Sequence, residues 1–187
     1  GYSKGMIAVA DAIKPHARET VEALRWIGLK IYLLSGDHRQ AAAAVADKVD
    51  IHQVIAEVLP GDKVRVIADL QRQGEVVAMV GDGINDAPAL AQADVGVALG
   101  TGADVALEAA DLTLIRDDLT LIPQAINLSR RMMRVIRQNL FWAFCYNVTA
   151  IPLAAAGFLS PAVAALAMAL SSVSVVSNSL RLRRFGR

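Results

Sequence analysis

Acidic residues are missing from the last third of this chain: all 18 of its Asp and Glu lie at or before Asp118. Residues 119–187 hold eight arginines and no carboxylate, whereas residues 1–118 carry 11 basic and 18 acidic side chains, so the two parts stand at +8 and −7. The overall charge of +1 therefore hides two objects, an acidic soluble domain and a basic, very apolar tail. Neither pattern is the basic stripe that nucleic acid requires, and no nucleic-acid partner is expected. Cysteine is nearly absent as well. Cys145 stands alone inside an apolar run, which excludes an intramolecular disulfide and marks it as a packing residue. No signal peptide opens the chain, which begins Gly1-Tyr2-Ser3-Lys4 without a methionine or a basic leader, a start that points to a fragment. His16, His38 and His52 share no metal-ligand spacing. Internal repeats, low-complexity tracts and long linkers are also lacking.

Charge is absent in a second way. Leu140 to Leu159 and Pro161 to Leu180 are two 20-residue runs without a charged residue. At about 1.5 Å per residue each is long enough to cross a hydrocarbon core. Ser160-Pro161 is a good helix start. Arg130, Arg131, Arg134 and Arg137 precede the first run, and Arg181, Arg183, Arg184 and Arg187 follow the second. Basic residues at both outer ends, with an uncharged turn between the runs, predict a transmembrane hairpin with both ends cytoplasmic. Membrane lipid is then a partner, and the plasma (inner) membrane is the expected location. Water-soluble core helices seldom run so long uncharged. The expected organisation is a domain over 1–118, an amphipathic connecting helix over 119–138, and a membrane part over 139–187 with spans near 140–159 and 161–180.

Residues 1–118 alternate between short apolar runs and helical spacing. Strands are predicted at Gly5–Ala10, Lys30–Leu34, Val54–Ala56, Val76–Val80, Val95–Leu99 and Leu112–Ile115. Helices are predicted after Pro15, with Ala17, Val21, Leu24 and Leu29 as the apolar face, over His38–Lys48, and from Pro60 with Val64, Ile67, Ala68 and Leu70. Alternating strands and helices with short connections mean a layered α/β fold with a parallel sheet.

The most informative stretch is Gly81-Asp82-Gly83-Ile84-Asn85-Asp86-Ala87-Pro88-Ala89-Leu90, directly after an apolar strand. Open α/β sheets bind ligands at the carboxyl ends of their strands. Two carboxylates four residues apart on a glycine-loosened turn suit Mg²⁺, which takes one or two carboxylates and keeps water and phosphate oxygens. Two other strand ends offer matching groups. Ser35-Gly36-Asp37 supplies a hydroxyl and a free backbone N–H for phosphate oxygens, and Lys63 supplies a point charge. Asn85 adds an amide. Phosphoryl transfer needs charge neutralisation and positioning above all. Two other readings fail: the twelfth position of a calcium loop begun at Asp82 is Ala93, and Gly100-Thr101-Gly102 has Val105 where a dinucleotide loop needs its third glycine.

The series Asp11-Ala12-Ile13-Lys14, Ser35-Gly36-Asp37, Pro60-Gly61-Asp62-Lys63 and Gly81-Asp82-Gly83-Ile84-Asn85-Asp86 resembles the P-type ATPases. Their phosphorylation domain is haloacid dehalogenase-like, a Rossmannoid parallel sheet with helices. The resemblance implies that Lys63 and Ser35 contact the phosphoryl group, Asp82 holds Mg²⁺ assisted by Asp86, and Asn85 touches phosphate. Serine replaces the family's usual threonine at position 35 and keeps the hydroxyl. The family's nucleophile is the aspartate of an Asp-Lys-Thr-Gly-Thr motif, which forms an aspartyl phosphate. That motif does not occur in this chain. The resemblance therefore implies the C-terminal third of a transporter. Its partners would be the missing nucleotide-binding domain, actuator domain and earlier membrane helices, and ATP its substrate. Alone, such a chain should not hydrolyse ATP.

Polar residues inside apolar spans are costly and tend to be functional. Tyr146-Asn147 sit within the first run, and Met168 and Ser172, on one helix face, within the second. A thioether, a hydroxyl and an amide without a carboxylate suit a soft monovalent ion such as Cu(I), although serine and asparagine also join membrane helices. The Tyr-Asn pair and the Met-x-x-Ser-Ser pattern resemble the copper(I)-exporting subgroup, which implies Cu(I), or Ag(I), as transported ion and these four residues as part of its path. A haloacid dehalogenase-type phosphatase and a non-catalytic membrane subunit are the competing readings.

Overall fold

The computed structural model describes residues 13–81, 84–100, 108–157 and 160–184. The chain divides into two units, Gly1–Pro123 and Gln124–Arg187, each taken by itself below. The strand expected at Gly5–Ala10 and the resemblance residues Asp11 and Ala12 lie outside the described residues.

The first unit is built from α1 (Ala17–Trp26), β1 (Tyr32–Leu34), α2 (Arg39–Val49), β2 (Gln53–Ile55), α3 (Pro60–Arg72), β3 (Ala78–Gly81), α4 (Ala87–Gln92), β4 (Val95–Leu99) and β5 (Leu112–Leu114). Every predicted strand and helix within the described residues is present, with ends moved by a few residues. Leu29, assigned to the face of the first helix, falls beyond it. α1 closes on Gly28 at φ +89°, whose N–H bonds Arg25 O, and the left-handed turn leaves Leu29 exposed. Val76, expected to begin β3, is likewise exposed.

All strand pairing among the described residues is parallel. β1 pairs with β2 in the register Leu33↔Val54, while β4 lies between β3 and β5, in the registers Val80↔Val97 and Ala98↔Thr113. The described strands thus form a two-stranded and a three-stranded ladder rather than one continuous sheet, because β1 and β3 do not hydrogen-bond to each other. Val21 of α1 and Ala46 and Val49 of α2 pack with Ile51 over β1 and β2, where Leu33 and Val54 close the layer. α2 ends at Asp50 with φ 62°, a conformation that aspartate tolerates better than most residues. Arg25 binds both the carboxylate and the carbonyl of Asp50, joining the end of α1 to that turn. In the second ladder α4 lies directly on β4. A Cβ at Gly96 would stand 2.7 Å from Leu90 O, so only glycine permits that approach. Ala89, Leu90, Val97, Ala98 and Leu99 are buried there.

The second unit is formed mainly by α5 (Leu121–Ala155) and α6 (Pro161–Leu180), followed by a 3₁₀ turn at Arg181–Arg184. The connecting helix expected at 119–138 and the first span are one helix of 35 residues. Asn139, at the junction, breaks neither spacing nor hydrogen bonding, and Pro152 is carried within the helix. α5 begins with a cap in which Asp118 accepts from Thr120 N at 2.9 Å and Thr120 Oγ1 at 2.7 Å. Those bonds, the side-chain one first, hold the Asp118 carboxyl below its ordinary value. α6 has the bounds that its uncharged run predicts.

Among the described residues no helix is long and apolar enough to cross a membrane. Both expected spans contain positions outside that set, namely Phe158 and Leu159 and the side chains of Pro161, Val163, Ala164 and Ala167. What the helices do display is apolar side chains facing outward. Phe141, Phe144, Val148, Ile151, Leu166, Met168 and Val173 are all more than half exposed.

Candidate phosphate and metal site

Three connections at the carboxyl ends of β1, β2 and β3 are tied into one edge of the first unit. Ser35 ends β1. Its amide donates to Ile55 O at 3.0 Å, and its carbonyl accepts from Val58 N at 3.1 Å. Asp37 O accepts from Glu57 N at 3.0 Å, so the Ser-Gly-Asp turn is laced to the segment that enters α3. The Ser35 hydroxyl accepts from Asp37 N at 3.1 Å and donates to the Asp37 carboxylate at 3.0 Å. Such a turn holds the hydroxyl in place through its own backbone.

α3 starts with Pro60 in its first turn, as proline's fixed φ favours. Lys63 follows in that turn and reaches across to the connection after β3. Its Nζ donates to Asp86 Oδ1 at 2.6 Å, with 16% and 15% of the two side chains exposed. Asp86 ends a 3₁₀ turn, Ile84–Asp86, directly before α4, which carries a proline in its first turn; its side chain makes no capping bond to that helix and is left to Lys63. Gly81 explains the fit. An ideal Cβ there would lie 2.8 Å from Asp86 Cβ and 2.9 Å from Oδ2. Glycine at the end of β3 is what allows the carboxylate to fold back over the strand.

The structure therefore brings Lys63 to Asp86 and links the Ser35 turn to the approach of α3. Asn85 is exposed beside them. Asp82 and Gly83 lie outside the described residues, so the expected first Mg²⁺ ligand is not described. Among the described residues no group of three His, Cys, Asp or Glu gathers around one point. Carboxylate oxygen is nonetheless the donor that Mg²⁺ prefers, and Asp86 presents it at a strand end.

Sequence reasoning did not find the clamp at the foot of β3. Asp94 accepts from Val77 N at 2.8 Å and from Gln71 Nε2 at 3.1 Å, joining α3 to both edges of the β3–β4 crossover. The Val77 amide first, then Gln71, holds its carboxyl below the ordinary value. An aspartate immediately before a strand was the available signal.

In the second unit no described hydrogen bond joins the four residues expected on an ion path to one another. Asn147 Nδ2 donates to Ala143 O at 3.0 Å and Ser172 Oγ to Met168 O at 3.1 Å, each within its own helix. Tyr146 stands in a tilted aromatic contact with Trp142, and Met168 is 73% exposed. The described hydrogen bonds between α5 and α6 lie elsewhere. Asn178 Nδ2 donates to Asn139 Oδ1 at 2.9 Å and Gln138 Oε1 at 3.2 Å, and Asn139 Nδ2 donates to Ser179 Oγ at 3.0 Å. Amides at the arginine-flanked end of each uncharged run were the sequence signal for this contact.

Comparison with known proteins agrees with this architecture. Residues 2–94 match the haloacid dehalogenase-like hydrolase family. The whole chain is 58% identical to the probable copper-exporting P-type ATPase V of Mycobacterium tuberculosis (strain CDC 1551 / Oshkosh), covering 24% of that protein. It is 56% identical over 180 residues, 96% of the chain, to the copper-exporting P-type ATPase of Staphylococcus aureus (strain JH9), covering 22% of it. The chain thus spans about a quarter of the length of these curated relatives. Among solved structures, a zinc-transporting PIB-type ATPase in its E2·Pi state superposes with a TM-score of 0.86 at 38% identity, over 93% of this chain and 28% of that one. The catalytic domain of the CPx-ATPase CopB-B gives 0.59 at 38% identity, over 63% and 46%. The chain belongs to the P-type ATPases, with a haloacid dehalogenase-like domain in its first half.

Proposed function

We propose that this chain is the part of an ATP-driven Cu(I) exporter that supplies the Mg²⁺ and phosphate groups of the phosphorylation site and a segment of the ion path. The observation that carries the reading is the Lys63–Asp86 contact at the end of β3, with the Ser35 turn laced to the approach of α3. In this reading Lys63, the Ser35 hydroxyl and the Gly36 amide neutralise and orient phosphoryl oxygens, Asp37 fixes the Ser35 turn, and Asn85 adds an amide. Asp82 and Asp86 would hold Mg²⁺, which when bound neutralises phosphate charge. β1 and β3 each lack a described partner on the side where the two ladders part. A strand bringing the aspartate nucleophile from another part of the transporter would be held there on both sides.

The same proposal takes α5 from about residue 140 and all of α6 as a membrane hairpin, with the first unit and the arginine-rich end cytoplasmic. Outward-facing Phe141, Phe144, Val148, Leu166 and Val173 support it, since lipid is the solvent such a surface suits. The transported ion is assigned Cu(I), or Ag(I), on Tyr146, Asn147, Met168 and Ser172, and on the names of the relatives. The similarity to a zinc transporter favours a second reading, but the runs 140–159 and 161–180 contain no carboxylate or amine for a harder divalent ion. In proteoliposomes of the complete transporter, Cu(I) and not Zn²⁺ should stimulate ATP hydrolysis, and Lys63→Met should abolish phosphoenzyme formed from ATP. Zn²⁺ stimulation would overturn the ion assignment, and normal phosphoenzyme in Lys63→Met would overturn the site.

A further inference from the structure

The basic end of the α5–α6 unit carries a groove that the proposed transport role does not use. It is an open groove of about 670 Å³ along α5, lined by Arg130, Arg134, Arg137, Gln138, Phe141 and Trp142, among others. A second groove of about 600 Å³ shares Arg130 and Arg134 and extends to Asn178 and Arg181, so arginines of both helices border one rim. No Asp or Glu occurs from residue 119 onward, so the unit's own charge is positive throughout.

The order of chemistry along α5 is specific. Arg134, Gln138 and Trp142 follow at four-residue spacing, as do Arg137 and Phe141, and residues four apart share a helix face. A band of guanidinium groups therefore gives way, within one turn, to a band of aromatic rings. Phe141 and Trp142 meet edge to face with centroids 5.6 Å apart, and Trp142 is half exposed. Guanidinium forks match phosphate oxygens, and indole rings favour the boundary between headgroups and acyl chains. Clusters of arginine at the cytoplasmic end of a membrane helix are suited to anionic headgroups.

We propose that this groove holds the phosphate of an anionic phospholipid, with its acyl chains beginning at Phe141 and Trp142. The proposal rests on the membrane-hairpin reading. A soluble phosphate would present the same oxygens, but the aromatic rings below the arginines commit the site to a lipid.

The test uses the full 187-residue chain with Trp26→Phe, which leaves Trp142 as the single tryptophan. Trp26 is 90% exposed, so its replacement disturbs no packing. The protein is placed in phosphatidylcholine vesicles containing either brominated phosphatidylglycerol or brominated phosphatidylcholine. Trp142 emission should be quenched at several-fold lower mole fraction of the phosphatidylglycerol. Arg134→Gln with Arg137→Gln should abolish that preference, since one charge at an anionic surface is worth roughly fivefold. Arg134→Lys with Arg137→Lys should retain most of it and serves as the folded control. Equal quenching by both lipids overturns the proposal while leaving the hairpin standing. Quenching by neither overturns the hairpin and the proposal together. Relief of quenching by inorganic phosphate makes the ligand a soluble anion and also overturns it.

Discussion

Gly81→Ala is the most economical perturbation of the candidate site, because it touches neither Lys63 nor Asp86 chemically. Gly81 is buried, and its new Cβ would stand 2.8 Å from Asp86 Cβ and 2.9 Å from Oδ2. Ordinary contacts begin near 3.4 Å, so the carboxylate must retreat by at least half an ångström. It cannot retreat freely, since its Oδ1 is held at 2.6 Å by Lys63. Overpacking of this kind costs about 1–3 kcal/mol. A displacement approaching 1 Å at a positioned group can lower a rate on the order of 100-fold. Gly61→Ala is the matched control. A Cβ there meets nothing within 4 Å, and Gly61 lies inside α3, where alanine is favoured by about 0.5–1 kcal/mol. Urea unfolding midpoints and Mg²⁺-dependent phosphoenzyme levels in the complete transporter read both effects. Gly81→Ala should lose stability and phosphoenzyme together, while Gly61→Ala should keep the second and gain slightly in the first. A Gly81→Ala protein with wild-type midpoint and phosphoenzyme refutes the packing argument for Asp86.

Three further outcomes follow from the same geometry. Asp82→Asn should leave the fold intact yet abolish Mg²⁺-dependent labelling by ATP in the complete transporter, because a metal that also binds phosphate loses one ligand charge; wild-type labelling would remove Asp82 from the site. Met168→Leu should cost less than about 1.5 kcal/mol of packing, the more so as Met168 is 73% exposed, yet weaken Cu(I) binding and export; normal export would leave the copper assignment without its only thioether. Asp94 has its carboxyl pKa lowered from 3.8 by the Val77 amide and then Gln71, so the stability it contributes is present above the unfolded value and disappears as pH falls through the folded one. Asp94→Asn keeps an acceptor for Val77 but cannot titrate, and should flatten the loss of stability below about pH 4 in urea midpoints measured against pH; an unchanged acid limb would exclude Asp94 from that loss.

How much of this was legible in the sequence depended on the range of the interaction responsible. β4 and α6 have the predicted bounds because local signals decide them: an apolar run closed by Gly100 for β4, and Ser160-Pro161 with a charge-free stretch for α6. The partnership of Lys63 with Asp86 was implied by their places at strand ends, since parallel topology gathers those ends on one edge. Its tightness was not legible, because it depends on the absent Cβ of Gly81, a contact between chain segments that no spacing rule encodes. The helix after Asp118 failed in the opposite sense. The change from arginine-rich to uncharged sequence near residue 139 marks no change of backbone, and α5 continues through it unbroken.

That continuity gives the proposed transport role a mechanical element. At about 1.5 Å per residue, the 35 residues of α5 make a rod of roughly 52 Å, beginning three residues after the Asp118 cap and passing Tyr146 and Asn147. A displacement applied at its first turn would reach that region without a hinge, except where Pro152 removes a backbone hydrogen bond beyond both residues. The amide contacts of Gln138 and Asn139 with Asn178 and Ser179 then join α6 to the rod near the arginine-rich end. Motion of the rod would thus carry both sides of the proposed ion path. Asn178→Ala should therefore separate phosphorylation from export, leaving phosphoenzyme formation in the complete transporter near wild type while Cu(I) export falls several-fold. Equal loss of both would place Asn178 in the stability of the unit, and full retention of both would show that α6 follows α5 through other contacts.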